Sequence, residues 1–292
     1  MDDIPYLFCD AVVETIAEIK DISKQLESVD HSGFCSWKAA FKNHCDNRLS
    51  FFLWIGFETG EWSYALRKCN DNDSSDSIDF AHLKKLKHKY IQINSVVFSD
   101  RGSRPSNRQE IEEIIKYIDP LVNLAYISFR NRQMDESDLS LLLSYFQQAS
   151  FKRVRASHCK QSYEDFLKLH FQSDCLKEVV LYYEGWSQEF RAELQEFVLK
   201  KPFKRVSCDF TDLTFDRAFF EKVFELNPSE KKVVFSFWNS FAYESLTDFK
   251  KELQVTSKDQ KCEFVWRRND GVRIVVKYTD TFLKVQLFQN SN

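Results

Sequence analysis

Phe151-Lys152-Arg153-Val154-Arg155-Ala156 and Phe203-Lys204-Arg205-Val206-Ser207-Cys208 are two copies of one short pattern, apolar-x-x-apolar-x-apolar, and both open on Phe-Lys-Arg-Val. The spacing recurs at Ile93/Val96/Phe98, Leu124/Ile127/Phe129 and Leu176/Val179/Leu181. A weaker copy, Lys232/Phe235/Phe237, lacks the first apolar residue. The copies start at 93, 124, 151, 176, 203 and 232, so the steps are 31, 27, 25, 27 and 29 residues. Within each copy the fourth and sixth positions alternate with their neighbours, as the two faces of a strand do. Self-similarity at such a period marks one supersecondary unit per repeat.

Between copies the apolar period lengthens to that of a helix. Ile111, Ile114, Ile115 and Ile118 fall at i, i+3, i+4 and i+7, and Leu139, Leu142, Leu143 and Phe146 repeat that arithmetic. Tyr163/Phe166/Leu167/Phe171, Phe190/Leu194/Phe197/Val198, Phe220/Val223/Phe224 and Leu246/Phe249/Leu253 follow. Ser106 and Gln109 fit a capping box for the first of these helices. Strand, helix, strand in this order predicts parallel strands joined by right-handed crossovers. A repeat array and an ordinary α/β sheet are both compatible with the pattern.

The flanks read differently. Leu7, Phe8, Ala11, Val12 and Ile16 lie along one helical face, Ile19, Ile22, Leu26 and Val29 continue it, and Trp37, Ala40 and Phe41 mark a further short helix. Phe51/Leu53/Ile55/Phe57 and Trp62/Tyr64/Leu66 alternate on either side of Thr59-Gly60, which predicts a hairpin. Residues 70–79 are polar, and they lack the Gly and terminal Glu of a calcium loop, so a solvated linker is expected. At the C-terminus, Phe264/Trp266, the turn Asn269-Asp270-Gly271, Val272/Ile274/Val276/Tyr278 and the run Phe282–Phe288 predict an antiparallel meander that caps the last repeat. The expected organisation is a helical segment over 1–47, a hairpin and linker over 48–89, strand-helix repeats over 90–256 and the meander over 257–292.

Composition narrows the function. Of the 292 residues, 43% are hydrophobic and 29% charged, enough for a large core under a wet surface. A net charge of −3 disfavours general nucleic-acid binding, which draws its affinity from neutralised phosphates. The acidic start, Met1-Asp2-Asp3, has no cationic leader, and no run approaches the roughly 18 apolar residues of a membrane span. An intracellular chain without membrane contact is therefore expected. The eight cysteines include no Cys-x-x-Cys pair, so reduced and mostly buried thiols are expected. With six glycines there is no phosphate-cradling loop, and neither nucleophile-elbow nor zinc-binding motifs occur. His158 and Cys159 are adjacent, which on a strand sends them to opposite faces. No catalytic residue, metal site or cofactor is predicted.

What remains is a surface. If positions one, four and six face the core, positions three, five and seven line the other side. Position three reads Tyr126, Arg153, Glu178, Arg205; position five reads Ser128, Arg155, Val180, Ser207; position seven reads Arg130, Ser157, Tyr182, Asp209. Tyr and Arg are the types enriched at binding hot spots. Tyr126, Arg130, Arg153, Arg155, Tyr182 and Arg205, with Trp238 beyond them, are the candidate partner-binding residues for an unknown protein.

Over roughly residues 90–240 the spacing resembles a leucine-rich-repeat solenoid. It departs from that family where an asparagine is expected, since Arg132, Cys159, Glu184 and Thr211 stand there. The first 47 residues resemble a divergent F-box: Ile4-Pro5 at the opening, Asp21-Ile22 in the middle and Trp37 at the close, with Tyr6-Leu7 where an acidic residue is common. The two together are similar to the divergent F-box proteins of nematodes. The resemblance implies a substrate-recruiting, non-catalytic subunit of a cullin-type ubiquitin ligase. It would dock a Skp-type adaptor through Pro5, Leu7, Phe8, Val12, Ile16 and Trp37. The alternative is a helical lid on the first repeat of a plain binding scaffold.

Overall fold

The computed structural model describes residues 6–14, 35–69, 77–100, 102–131, 133–157, 160–211, 213, 215–228, 232–238, 254–258, 261–279 and 282–289. The chain is α/β with a mixed sheet, and it divides into two compact units. The first holds residues 1–97 and 101–125, the second 98–100 and 126–292.

Each copy of the pattern forms a strand: β4 (Ile91–Ser99), β6 (Asn123–Phe129), β7 (Ser150–Ala156), β8 (Glu178–Tyr182), β9 (Arg205–Asp209) and β10 (Lys232–Trp238). From β7 to β10 the pairing is parallel and keeps the repeat in step. Val154 lies beside Val179, Val206 and Phe235 in turn, and Ala156 beside Leu181, Cys208 and Phe237. All eight are buried. The helices α5 (Glu136–Ser144), α6 (Gln161–Phe171), α7 (Gln188–Lys200) and α8 (Arg217–Glu225) follow β6, β7, β8 and β9. They press aromatic rings onto these inward positions: Tyr163 stacks on Phe129 at 4.4 Å, Phe166 meets Phe151 at 5.9 Å, and Phe220 meets Phe237 at 5.7 Å. Asp135, Ser187 and Asp216 cap α5, α7 and α8 by accepting the backbone N–H three residues on.

The predicted meander extends the second unit. β11 (Gln254–Lys258), β12 (Lys261–Arg267), β13 (Arg273–Thr279) and β14 (Phe282–Phe288) are antiparallel neighbours, and β14 closes onto β10. The β12–β13 turn falls at Asn269–Gly271, where Gly271 has φ 86°.

In the first unit, α1 (Tyr6–Glu14) packs on α2 (Cys35–Asn47). β1 (Leu49–Glu58) and β2 (Glu61–Lys68) form the expected hairpin; its turn residues Thr59 and Gly60 both have positive φ, 52° and 86°, the twist a two-residue hairpin favours. Beyond β2 lie β3 (Ser77–Ile78), α3 (Phe80–Leu83) and a 3-10 turn, His88–Tyr90. β5 (Arg104–Ser106) also pairs with β2 and leads into α4 (Arg108–Ile118).

The capping box is displaced by one residue. Ser106 belongs to β5, opposite Trp62, so Asn107 is the cap and accepts the Glu110 N–H at 2.9 Å. Ser106 Oγ instead donates to the Glu110 carboxylate at 2.7 Å. The helical expectations at Ile16–Val29 and Leu246–Leu253, and the His158-Cys159 pair, lie outside the described residues. Among the described residues no helix is long and apolar enough to cross a membrane.

Candidate functional site

The second unit presents a sheet face opposite its helices. The alternation that buries Val154, Val179 and Val206 turns Arg153, Glu178 and Arg205 the other way, and the in-step pairing aligns them in a row across β7, β8 and β9. Arg155, Val180 and Ser207 form the next row, continued by Ser236 on β10 and Lys284 on β14. Tyr182 and Asp209 form a third.

The rows are internally paired. The Arg153 guanidinium lies 5.8 Å from the Tyr126 ring centre, and its Nε is 2.7 Å from Glu178 Oε2; Lys204 Nζ reaches the other Glu178 oxygen at 3.7 Å. Arg155 lies over the Tyr182 ring at 4.5 Å, and its Nε is buried without a hydrogen-bond partner among the described residues. Burial raises the Tyr182 hydroxyl above its ordinary pKa against the opposing pull of the Arg155 charge. Ser207 Oγ donates to Asp209 at 2.8 Å and lies 2.9 Å from Ser236 Oγ. Burial outweighs that hydrogen bond and raises the Asp209 carboxyl. Arg130 is exposed, with Nε 3.3 Å from Ser128 Oγ, and Arg205 is exposed at the mouth of a groove of about 340 Å³.

Of the candidates, Tyr126 and Arg153 are brought together, as are Arg155 and Tyr182. Arg130 and Arg205 contribute separately to the same side. Trp238 ends β10, and its side chain lies outside the described residues.

Three features escaped the pattern. Asn131 stands one residue before the position where an asparagine was expected: fully buried, it donates to the Ser99 carbonyl at 2.5 Å and accepts the N–H groups of Gln133 and Met134. Tyr183 and Phe210 follow position seven in successive repeats and share left-handed backbone, φ 61° and 60°, with side chains 45% and 47% exposed. Bulky residues rarely take that conformation. Two aromatics at one register were the available signal. Lys284 and Gln286 join the face through β14, a strand whose antiparallel pairing with β10 has no counterpart in the repeat spacing.

At the N-terminus the apolar face read from the sequence is the outer one. Cys9 and Val13 pack against Ala40 and Phe41, whereas Leu7 is 78% exposed and Phe8 55%. Val12 and Trp37 are half-buried; Trp37 meets the Phe8 ring edge-on at 6.3 Å and lies 6.4 Å from Phe41. Pro5 and Ile16 lie outside the described residues. Asp10 anchors α1, 3.1 Å from His44 Nε2 and 2.9 Å from Lys89 Nζ, and these contacts hold its carboxyl below the usual range against its own desolvation.

The face offers charge, ring faces and hydroxyls. Complete burial pushes the Cys208 thiol up, which removes its nucleophilic form. Among the described residues no group of three or more His, Cys, Asp or Glu side chains could hold a metal ion. No protein-family model, curated protein or solved structure matches the chain.

Proposed function

We propose that the chain is a non-catalytic protein-interaction module, a short degenerate solenoid that grips a partner protein on the sheet face opposite the described helices of its second unit. One observation carries this. Arg155 and Tyr182, two residue types of binding hot spots, are held 4.5 Å apart on a face that the described helices leave open. A pre-arranged Arg–Tyr pair loses little freedom when a partner arrives. The test is affinity purification of the full chain beside a Tyr182→Ala, Arg205→Glu variant of matched melting temperature. A partner retained by the parent and lost by the variant supports the reading; identical recovery removes it.

In this proposal the helix pair α1–α2 links the module to a cullin-type ubiquitin ligase through a Skp-type adaptor. The exposed Leu7 and Phe8 supply the apolar surface such docking needs. Co-expression with the adaptor should yield a complex that Leu7→Asp with Phe8→Asp abolishes. A second reading, a binding scaffold with no ligase link, draws on the ties from α1–α2 to the 88–90 turn. Asp10 bonds Lys89, and Asn43 donates to the Tyr90 hydroxyl at 2.8 Å, as a lid would. No adaptor complex under any condition would leave that reading standing.

A further inference from the structure

Toward its antiparallel end the sheet face opposite the described helices becomes cationic. Arg205 on β9, Lys232 on β10 and Lys284 on β14 line the same groove of about 340 Å³. Ser207, Ser236 and Gln286 also line it and are 0%, 5% and 6% exposed. Arg273 on β13 adds positive charge at the rim: its guanidinium and the Lys232 ammonium lie 5.1 and 5.3 Å from the Phe288 ring centre.

Little negative charge balances this. Glu178, beside Arg205 on β8, is held by Arg153 at 2.7 Å with Lys204 at 3.7 Å, and Glu263 is taken by Lys277 at 2.8 Å. Asp209, the carboxylate in the groove, is 8% exposed and bonded by Ser207. Among the described residues, none of Arg205, Lys232 and Lys284 is held in an ion pair by a carboxylate. The imbalance registers on Lys284. Burial depresses its ammonium first, and the charges of Lys232, Arg205 and Lys277 depress it further. In a chain whose net charge is −3, this is a local concentration of positive charge.

We propose that this end of the groove binds an acidic peptide segment of the partner, with Asp or Glu carboxylates set against Arg205, Lys232 and Lys284. The Gln286 amide supplies a hydrogen bond between them. The proposal rests on the reading of this face as the partner-binding surface and names the chemistry of what it takes. Spacing favours a peptide over a single anion. Arg205 and Lys284 stand two strands apart and two residues out of register, and with neighbouring strands about 4.8 Å apart and a rise of about 3.4 Å per residue their backbones are roughly 12 Å apart. That is wider than one phosphate spans and suits carboxylates carried by alternate residues of an extended chain, which share one face. Arg205 offers the planar fork that matches a carboxylate.

The test is fluorescence anisotropy of the full chain with a labelled glutamate-rich peptide and its glutamine counterpart, with inorganic phosphate and a single-stranded oligonucleotide as competitors. The glutamate peptide should bind, weaken with added salt, and exceed the glutamine peptide by about tenfold or more. Lys232→Glu with Lys284→Glu should remove that preference, and the milder Lys232→Gln, Lys284→Gln pair, which removes the charges without reversing them, should reduce it. Asp209→Asn should tighten binding. Equal binding of the two peptides, no binding of either, or stronger displacement by oligonucleotide or phosphate than by unlabelled acidic peptide overturns the proposal. A photo-crosslinker at Tyr182 separates the two failures. A partner crosslink that persists without acidic preference overturns the charge assignment alone. Loss of both removes the face as a binding surface.

Discussion

The carboxylate of Glu164 on α6 accepts both the backbone N–H and the hydroxyl of Ser187, the residue that caps α7, each at 2.6 Å. One repeat thereby satisfies the helix start of the next. Glu136 does the same one repeat earlier, accepting the Ser162 N–H. Glu164 is 2% exposed, so its oxygens depend on buried donors such as these. Glu164→Ala leaves the Ser187 amide without its acceptor and is expected to lower stability by about 2–3 kcal/mol in urea denaturation. Glu164→Gln, which keeps an acceptor oxygen, should lose less.

Asn131 offers a second stability test. Its amide ties the Ser99 carbonyl to the turn at Gln133–Met134, and it is fully buried. Asn131→Ala removes three buried hydrogen bonds to the backbone and should destabilise by about 3 kcal/mol, and Asn131→Ser, which keeps a donor and an acceptor, should lose less. Chemical denaturation of the two variants checks the difference.

The stability should depend on pH through His170. The ring is buried against Phe151 and Phe166, and burial pushes it down to about 4 despite a hydrogen bond to the Phe146 carbonyl. The unfolded chain takes up this proton near pH 6.5, the folded chain only near 4. The contribution is therefore complete above 6.5 and lost as pH falls toward 4, by about 1.4 kcal/mol per pH unit across that window. His170→Phe should flatten the slope between pH 7 and pH 5. His44, also lowered by burial, acts in the same direction.

Asp209 has the opposite sign. Its carboxyl is raised by burial, so its charged form opposes folding, and stability from this group rises as pH falls through the folded pKa. Asp209→Asn, which can still accept from Ser207, should raise the melting temperature at pH 7 and change little near pH 3. A lower melting temperature at pH 7 would show that the charge is compensated.

The strands and helices were legible because burial leaves a mark on composition. Val154, Val179 and Val206 can only be apolar if they face the helices, so their spacing predicts strands and inward faces together. The rows of the outer face followed from that register. Their pairings did not, because a polar residue on an open face carries no mark of which neighbour it meets. Arg153 reads as an available charge until Glu178 is found 2.7 Å away. The groove beyond Arg205 was hidden for a topological reason: Lys284 reaches it from a strand that pairs antiparallel with β10 across 43 intervening residues, the difference between Phe282 and Trp238 less one. At the N-terminus an apolar stripe was visible, yet Cys9 and Val13 take the inner position and Leu7 the outer, a choice set by the partner helix α2.

Whether a protein partner sits on the sheet face opposite the described helices of the second unit can be read from a crosslink. A photo-reactive residue placed at Tyr182 in the full chain, expressed in its own cells, should give a discrete higher-mass adduct that Arg205→Glu diminishes. The same group at Leu169, exposed on α6, should give none. No adduct at Tyr182, or the same adduct from both positions, would contradict the account.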